Sequence, residues 1–187
     1  REIVADRAAR GATPTPRHPS NHRRSFSSLT AAQRARFRQR IDTYIVTENP
    51  VGAHQAASDD PAQMIHDMGF LAWHEYFLAK LEDWLVVRHN AIEFVPLPYW
   101  YPATPIPSEL NNGNTQPNVP FPSELQVGSI AQIPDYMSLN TSVVPYHNEV
   151  HDNLGGQMPD PKTSPGDPIF WPFHAFLMAI YEHWRYH

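Results

Sequence analysis

Four stretches of the chain place apolar residues at helical spacing, and polar or proline-rich segments separate them. From Thr30 to about Val46, Phe37, Ile41 and Tyr44 or Ile45 fall on one face and arginines on the other. Thr30 followed by Gln33 has the form of a capping box. A second helix is expected from Phe70, where Phe70, Trp73, Phe77, Leu81, Trp84 and Leu85 form the stripe. It ends near Asn90, with Arg88 and His89 in a last turn that suits their charge. A third carries His147 and His151 and is stopped by Gly155 and Gly156, which tolerate the left-handed conformation of a helix end. The fourth opens near Pro172 and lines up His174, Leu177, Met178 and Tyr181. The pattern therefore predicts a mainly α fold, a four-helix bundle with long Pro-rich loops.

The segments between these stripes are irregular. Residues 1–29 are polar, rich in Arg, Pro and Ser, and read as an extended N-terminal arm before a single domain over residues 30–187. Asn49-Pro50-Val51-Gly52 reads as a turn, His54 follows in a stretch without periodicity, and Ser58-Asp59-Asp60-Pro61 is a second break. Residues 95–145 have the character of one long loop, with prolines throughout and short strands as its only expected structure. A loop of that length either shapes a functional mouth or packs on the surface, held down by Tyr99, Trp100 and Tyr101.

Composition narrows the chemistry. The chain has 187 residues, enough for one sizeable core, and its 41% hydrophobic and 18% charged content is that of a globular chain. A net charge of −5 argues against a nucleic-acid partner. No apolar run approaches the roughly 20 residues of a membrane span, so a soluble chain, cytoplasmic or exported, is expected. It begins at Arg1 without a methionine, as after trimming. Oligomeric state is left open. With no cysteine, a metal would be held by His and carboxylate alone.

Eleven histidines make that option concrete. His147 and His151 lie one helical turn apart, with Cβ atoms roughly 6 Å from each other, so both imidazoles reach one ion. His174, in the next apolar run, supplies a third nitrogen and leaves metal positions open, as a catalytic site requires. His74 lies inside the stripe of the second helix and points to the core, with His66 and His54 upstream. Pro19 makes a shared helical face for His18 and His22 improbable, and His183 and His187 fall at a fraying end.

These residues carry a resemblance. Phe70-Leu71-x-Trp73-His74 with Tyr76 and Glu82 resembles one motif of the tyrosinase and catechol oxidase family, whose domain holds a binuclear, or type 3, copper site. His147-Asn148-x-Val150-His151, Gly155-Gly156-x-Met158 and Ser164-Pro165-x-Asp167-Pro168-x-Phe170-Trp171-x-x-His174 resemble the other motif more closely. The resemblance runs from about Arg23 onward. It implies two copper ions, one held by His54, His66 and His74, the other by His147, His151 and His174. Imidazole suits copper. A shell of Phe70, Phe77, Phe170, Phe173 and Phe176 would keep the site dry.

It also implies a copper-dependent oxidoreductase, a polyphenol oxidase that takes dioxygen and a phenolic substrate. Such an enzyme ortho-hydroxylates phenols, or oxidises o-diphenols or o-aminophenols to quinones. Asn148 would hold a water that takes the phenol proton, together with an upstream acid for which Asp135 and Glu124 are the candidates. Asn148 could equally bond its neighbouring backbone. Departures from the family pattern are a His66–His74 gap one residue short, Glu75 in place of Arg, Phe173 in place of His and Met178 in place of Asp. No cysteine is present for a Cys–His thioether. The alternatives are a catechol oxidase without monophenolase activity, a dioxygen carrier like the hemocyanins, and a metal-binding domain without catalysis.

Overall fold

The computed structural model of the chain describes residues 23–186, so His18, His22 and His187 lie outside the described residues. Among those described are five α-helices: α1 (Ala31–Glu48), α2 (Pro50–Ser58), α3 (Phe70–His89), α4 (Tyr136–Leu154) and α5 (Phe170–Tyr186). The fold is mainly helical, as the periodicity predicts. No strand occurs among the described residues; Ser25 and Tyr99 form an isolated bridge.

The α1 capping box is formed: Gln33 N donates to Thr30 Oγ1 at 3.2 Å, and Thr30 N donates to Gln33 Oε1 at 2.9 Å. Phe37, Ile41 and Tyr44 are buried. The arginines of α1 do more than face water. Arg34 pairs with Glu109 at 2.8 Å, and Arg38 donates to Glu109 O at 2.8 Å, so the helix holds part of the long loop.

The fifth helix, α2, corrects the expectation of four. Asn49 sits at φ 48°, closing α1, and its side chain accepts from Gly52 N to open α2, with Pro50 in the first turn. Nine residues, three of them alanine, give too short a stripe to read as periodic.

The long loop is also shorter than predicted. Asp135 caps α4 by accepting from Ser138 N at 2.8 Å, and the helix then runs through Pro145. A proline ring displaces the carbonyl four residues back and removes one hydrogen bond. Here Thr141 and Pro145 are both exposed, so the interruption falls on the solvent side of the helix. The remaining loop contains short 3-10 turns at Ile92–Phe94, Ser123–Leu125 and Ile130–Gln132. Trp100 is buried and its backbone N–H donates to Pro172 O at 2.9 Å, while Tyr99 and Tyr101 pack on Phe176.

The core sits between α3 and α5, which make the most extensive helix pair, with α4 against both. One buried charge cluster fastens the entering chain to it. Arg23 donates to Glu82 at 2.7 Å and to Glu182 at 3.1 Å, and Leu97 N donates to the same Glu82 oxygen at 3.0 Å. Glu82 is therefore a structural anion that ties residue 23, α3, the loop and α5 together. Phe26 and Leu29, just after Arg23, are buried as well.

Candidate metal centre

Six histidines converge where α2, α3, α4 and α5 meet. They form two groups, His54–His66–His74 and His147–His151–His174, and in each the ring nitrogens lie within 4.8 Å of one another. The groups adjoin: the His74 and His174 rings stack at 4.8 Å and 17°, and His74 lies 6.0 Å from His147. Two triads are thus positioned as one binuclear site.

Each helix contributes for a local reason. On α4, His147 and His151 are one turn apart, their ring centres 4.3 Å from each other. His174 and His74 each donate Nδ1–H to the carbonyl one turn back, Phe170 O at 2.8 Å and Phe70 O at 2.9 Å. His151 donates to Met158 O at 2.6 Å, across the Gly155–Gly156 turn. His54 donates to Pro161 O at 2.8 Å, and His147 to Asn148 Oδ1 at 2.8 Å. An oxygen partner that only accepts fixes the proton on Nδ1 and presents the Nε2 lone pair inward, which is how ligating histidines are oriented.

What those Nε2 atoms face tests whether a metal fits. His74 Nε2 and His151 Nε2 are buried without any partner, and His147 Nε2 lies 3.2 Å from His174 Nε2. Two imidazole lone pairs pointed at one another at that distance repel unless a cation lies between them. The charge state agrees. Burial pushes His54 down to about 3, with His66 adding to the effect, and burial pushes His151 down to about 4. Burial likewise lowers His66, and holds His74, His147 and His174 well below the ordinary imidazole range. Neutral nitrogen ligands at neutral pH, without thiolate, suit copper.

Aromatic rings close the site off from water. Phe170 stacks on His174 at 3.8 Å, Phe70 lies 4.4 Å from His74, Phe173 stacks parallel to His147 at 6.0 Å, and Phe77 lies 5.8 Å from His54. Phe176 does not belong to this shell: it packs outward against Phe121 and Tyr101.

One side stays open. A cavity of about 330 Å³ has His66, His147 and His151 in its wall, with Asn148 and Asp152 beside them on α4. Met158, Pro159, Pro161 and Ser164 complete it, so the 155–166 turn shapes the mouth and the 95–135 loop does not. Ser164 Oγ is buried there without a partner. Asp135 and Glu124 are exposed and absent from this wall, Asp135 being engaged as the α4 cap.

The anchoring residues include several that periodicity does not reveal. Gly69 cannot cap α3 with a side chain, and a Cβ there would meet Gln63 O at 2.5 Å. The free N–H groups of that helix end are taken by α4 instead: Leu71 N donates to Asn140 Oδ1 and Ala72 N to the Tyr136 hydroxyl, both at 3.3 Å. Asn140 Nδ2 also donates to Asp67 O at 2.6 Å, holding the segment that carries His66. Asn114 donates to buried Asp167 at 2.8 Å, beside Gly156 at φ +61°, and so fixes the approach to α5. Asn140 and Asn114 sit in stretches that read as loop, so only the long-range pairing reveals them. Glu75 pairs with Arg185 of α5 at 2.8 Å. His183 belongs to neither triad.

Comparison with known proteins follows the same lines. Residues 110–187 match the common central domain of tyrosinase. The tyrosinase of Streptomyces lincolnensis is 33% identical over 79 residues, 35% of this chain and 29% of that protein. The tyrosinase of Streptomyces antibioticus is 44% identical over 39 residues, 21% of this chain and 14% of that protein. The aligned stretches thus span less than a third of either relative. No solved structure matches the chain. The matched segment supplies His147, His151 and His174, and α2, the turn before α3 and α3 itself supply the second triad against it. Residues 110–187 are thus similar to the common central domain of tyrosinase, and the two triads are placed as one binuclear metal site.

Proposed function

We propose that the protein is a copper-dependent polyphenol oxidase, with His54, His66 and His74 holding one ion and His147, His151 and His174 the other. The observation that carries this reading is the pair of triads whose ring nitrogens converge, with His74 Nε2 and His151 Nε2 buried and unpartnered, beside a cavity open to solvent. Bound copper would supply the electron transfer to dioxygen. The protein's own residues do the rest. Phe70, Phe170 and Phe173 exclude water from the ligands. Met158, Pro159 and Pro161 offer an apolar wall to a phenolic ring entering beside His66, His147 and His151.

Asn148 lies in that wall. Its Oδ1 accepts from His147 Nδ1, so it orients that ring and leaves Nδ2 to hold a water. That water would relay the phenol O–H proton to solvent through the open side of the cavity before ortho-hydroxylation. A phenol and one dioxygen then give one o-quinone and one water. For o-diphenols, two molecules lose four electrons and four protons in all, giving two o-quinones, and one dioxygen becomes two waters.

Copper content and dioxygen uptake with p-cresol and 4-methylcatechol test the reading. Two coppers per chain with uptake on both substrates is the expected result. Uptake on the catechol alone selects a catechol oxidase, and full copper with no uptake selects a non-catalytic dioxygen- or metal-binding domain. Asn148→Gly should lower p-cresol hydroxylation at least tenfold more than 4-methylcatechol oxidation, a general-base contribution being on the order of 100-fold or more. Equal loss of both rates would remove the role given to Asn148.

A further inference from the structure

We infer that Asp152 makes the site selective for phenols and catechols that carry a cationic amine; this rests on the proposed oxidase reading and names its substrate class. Asp152 follows ligand His151 directly and lies one helical turn after Asn148, so Asn148 and Asp152 form a polar edge beside the His147–His151 ligand edge. All four residues line the same cavity of about 330 Å³. A substrate whose ring sits against the histidines therefore places a short side chain within reach of the Asp152 carboxylate.

The rest of the wall adds no other fixed protein charge: no Lys or Arg lines the cavity, and its other ionisable groups are His66, His147 and His151. Copper held by those imidazoles would be common to the wild type and an Asp152 variant, so comparing the two isolates the carboxylate. Met158, Pro159 and Pro161 are apolar and suit the ring, and Ser164 Oγ, buried without a partner, is a second polar point in the wall. The chain's net charge of −5 adds a long-range bias of the same sign. An ammonium on the substrate is attracted here and a carboxylate repelled. Asp152 is exposed, so the attraction is that of a solvated ion pair, worth about three- to fivefold in kcat/KM.

The test compares dopamine, 4-methylcatechol and 3,4-dihydroxyphenylpropionate with copper-loaded wild-type protein and Asp152→Asn at low ionic strength. The ratio of kcat/KM for dopamine to that for 4-methylcatechol should fall about three- to fivefold in the variant, mainly through KM. The ratio for the propionate should rise by a similar factor, and added salt should shrink both changes. Ratios that stay the same in wild type and variant overturn the proposal. If wild-type copper protein oxidises none of the three, the oxidase reading fails. The charge selection is then read from NMR titration of the zinc-filled protein with tyramine against p-cresol. Tighter tyramine binding, lost in Asp152→Asn, sustains it; equal binding of the two overturns it.

Discussion

The two halves of the metal centre are built in different ways. The second triad comes from two consecutive long helices, and all of its histidines are buried. Its geometry is largely local: a one-turn spacing on α4, a glycine turn, and a carbonyl one turn before His174. The first triad is gathered from three separate pieces, the short α2, the turn before α3, and α3 itself. Its His66 is only half-buried, and the segment around it is held by α4 through Asn140. One half is thus self-organised along the chain, while the other depends on the first for its position.

The sharpest way to break the comparison is to remove a proposed ligand from the self-organised half. His151→Ala should leave one copper per chain and abolish oxidase activity, as measured by metal analysis and dioxygen uptake. Full copper in the variant would contradict the ligand assignment. The dependence of the first half on α4 predicts a second effect. Asn140→Ala leaves Asp67 O and Leu71 N without their buried partner, which should lower stability by about 1–3 kcal/mol in denaturant titration. The same variant should release copper from the His54–His66–His74 site before the other. Simultaneous release would mean that the halves are not ordered in this way.

Acid should act on both halves and sharpen their relation more gently. The buried histidines have folded-state values below the ordinary imidazole value, His54 at about 3 and His151 at about 4. Unfolded, they take up protons near pH 6.5; folded, they do not. Stability of the copper-free protein is therefore complete above about pH 6.5 and declines as pH falls toward 4, by about 1.4 kcal/mol per pH unit for each such proton. A thermal midpoint that stays level from pH 7 to 4.5 would contradict the burial of these rings.

How much of this was legible depends on range along the chain. The capping box at Thr30, the stripe from Phe70 and the His147–His151 pair are local patterns, and the fold reproduces them. The start of α4 was hidden because Pro134 and Pro145 flank it, and prolines at that density read as loop. Helix α2 was hidden because nine residues cannot display a period. Glu75 in the place of an arginine read as a lost charge, yet Arg185 on the facing helix keeps an ion pair between α3 and α5. Phe176 read as part of the metal shell, but it packs against Tyr101 and Phe121 instead.

The sequence by itself determined the helical class, the six histidines and the residue types around them, since spacing along a helix decides which side chains share a face. Only the tertiary structure decided that the two triads adjoin, that Asn140 and Tyr136 finish the end of α3, and that Asp152 rather than Asp135 or Glu124 stands in the cavity wall. The physical reason is that a helix end left with unpaired N–H groups must find its partners wherever packing brings them, and no local pattern records where that is.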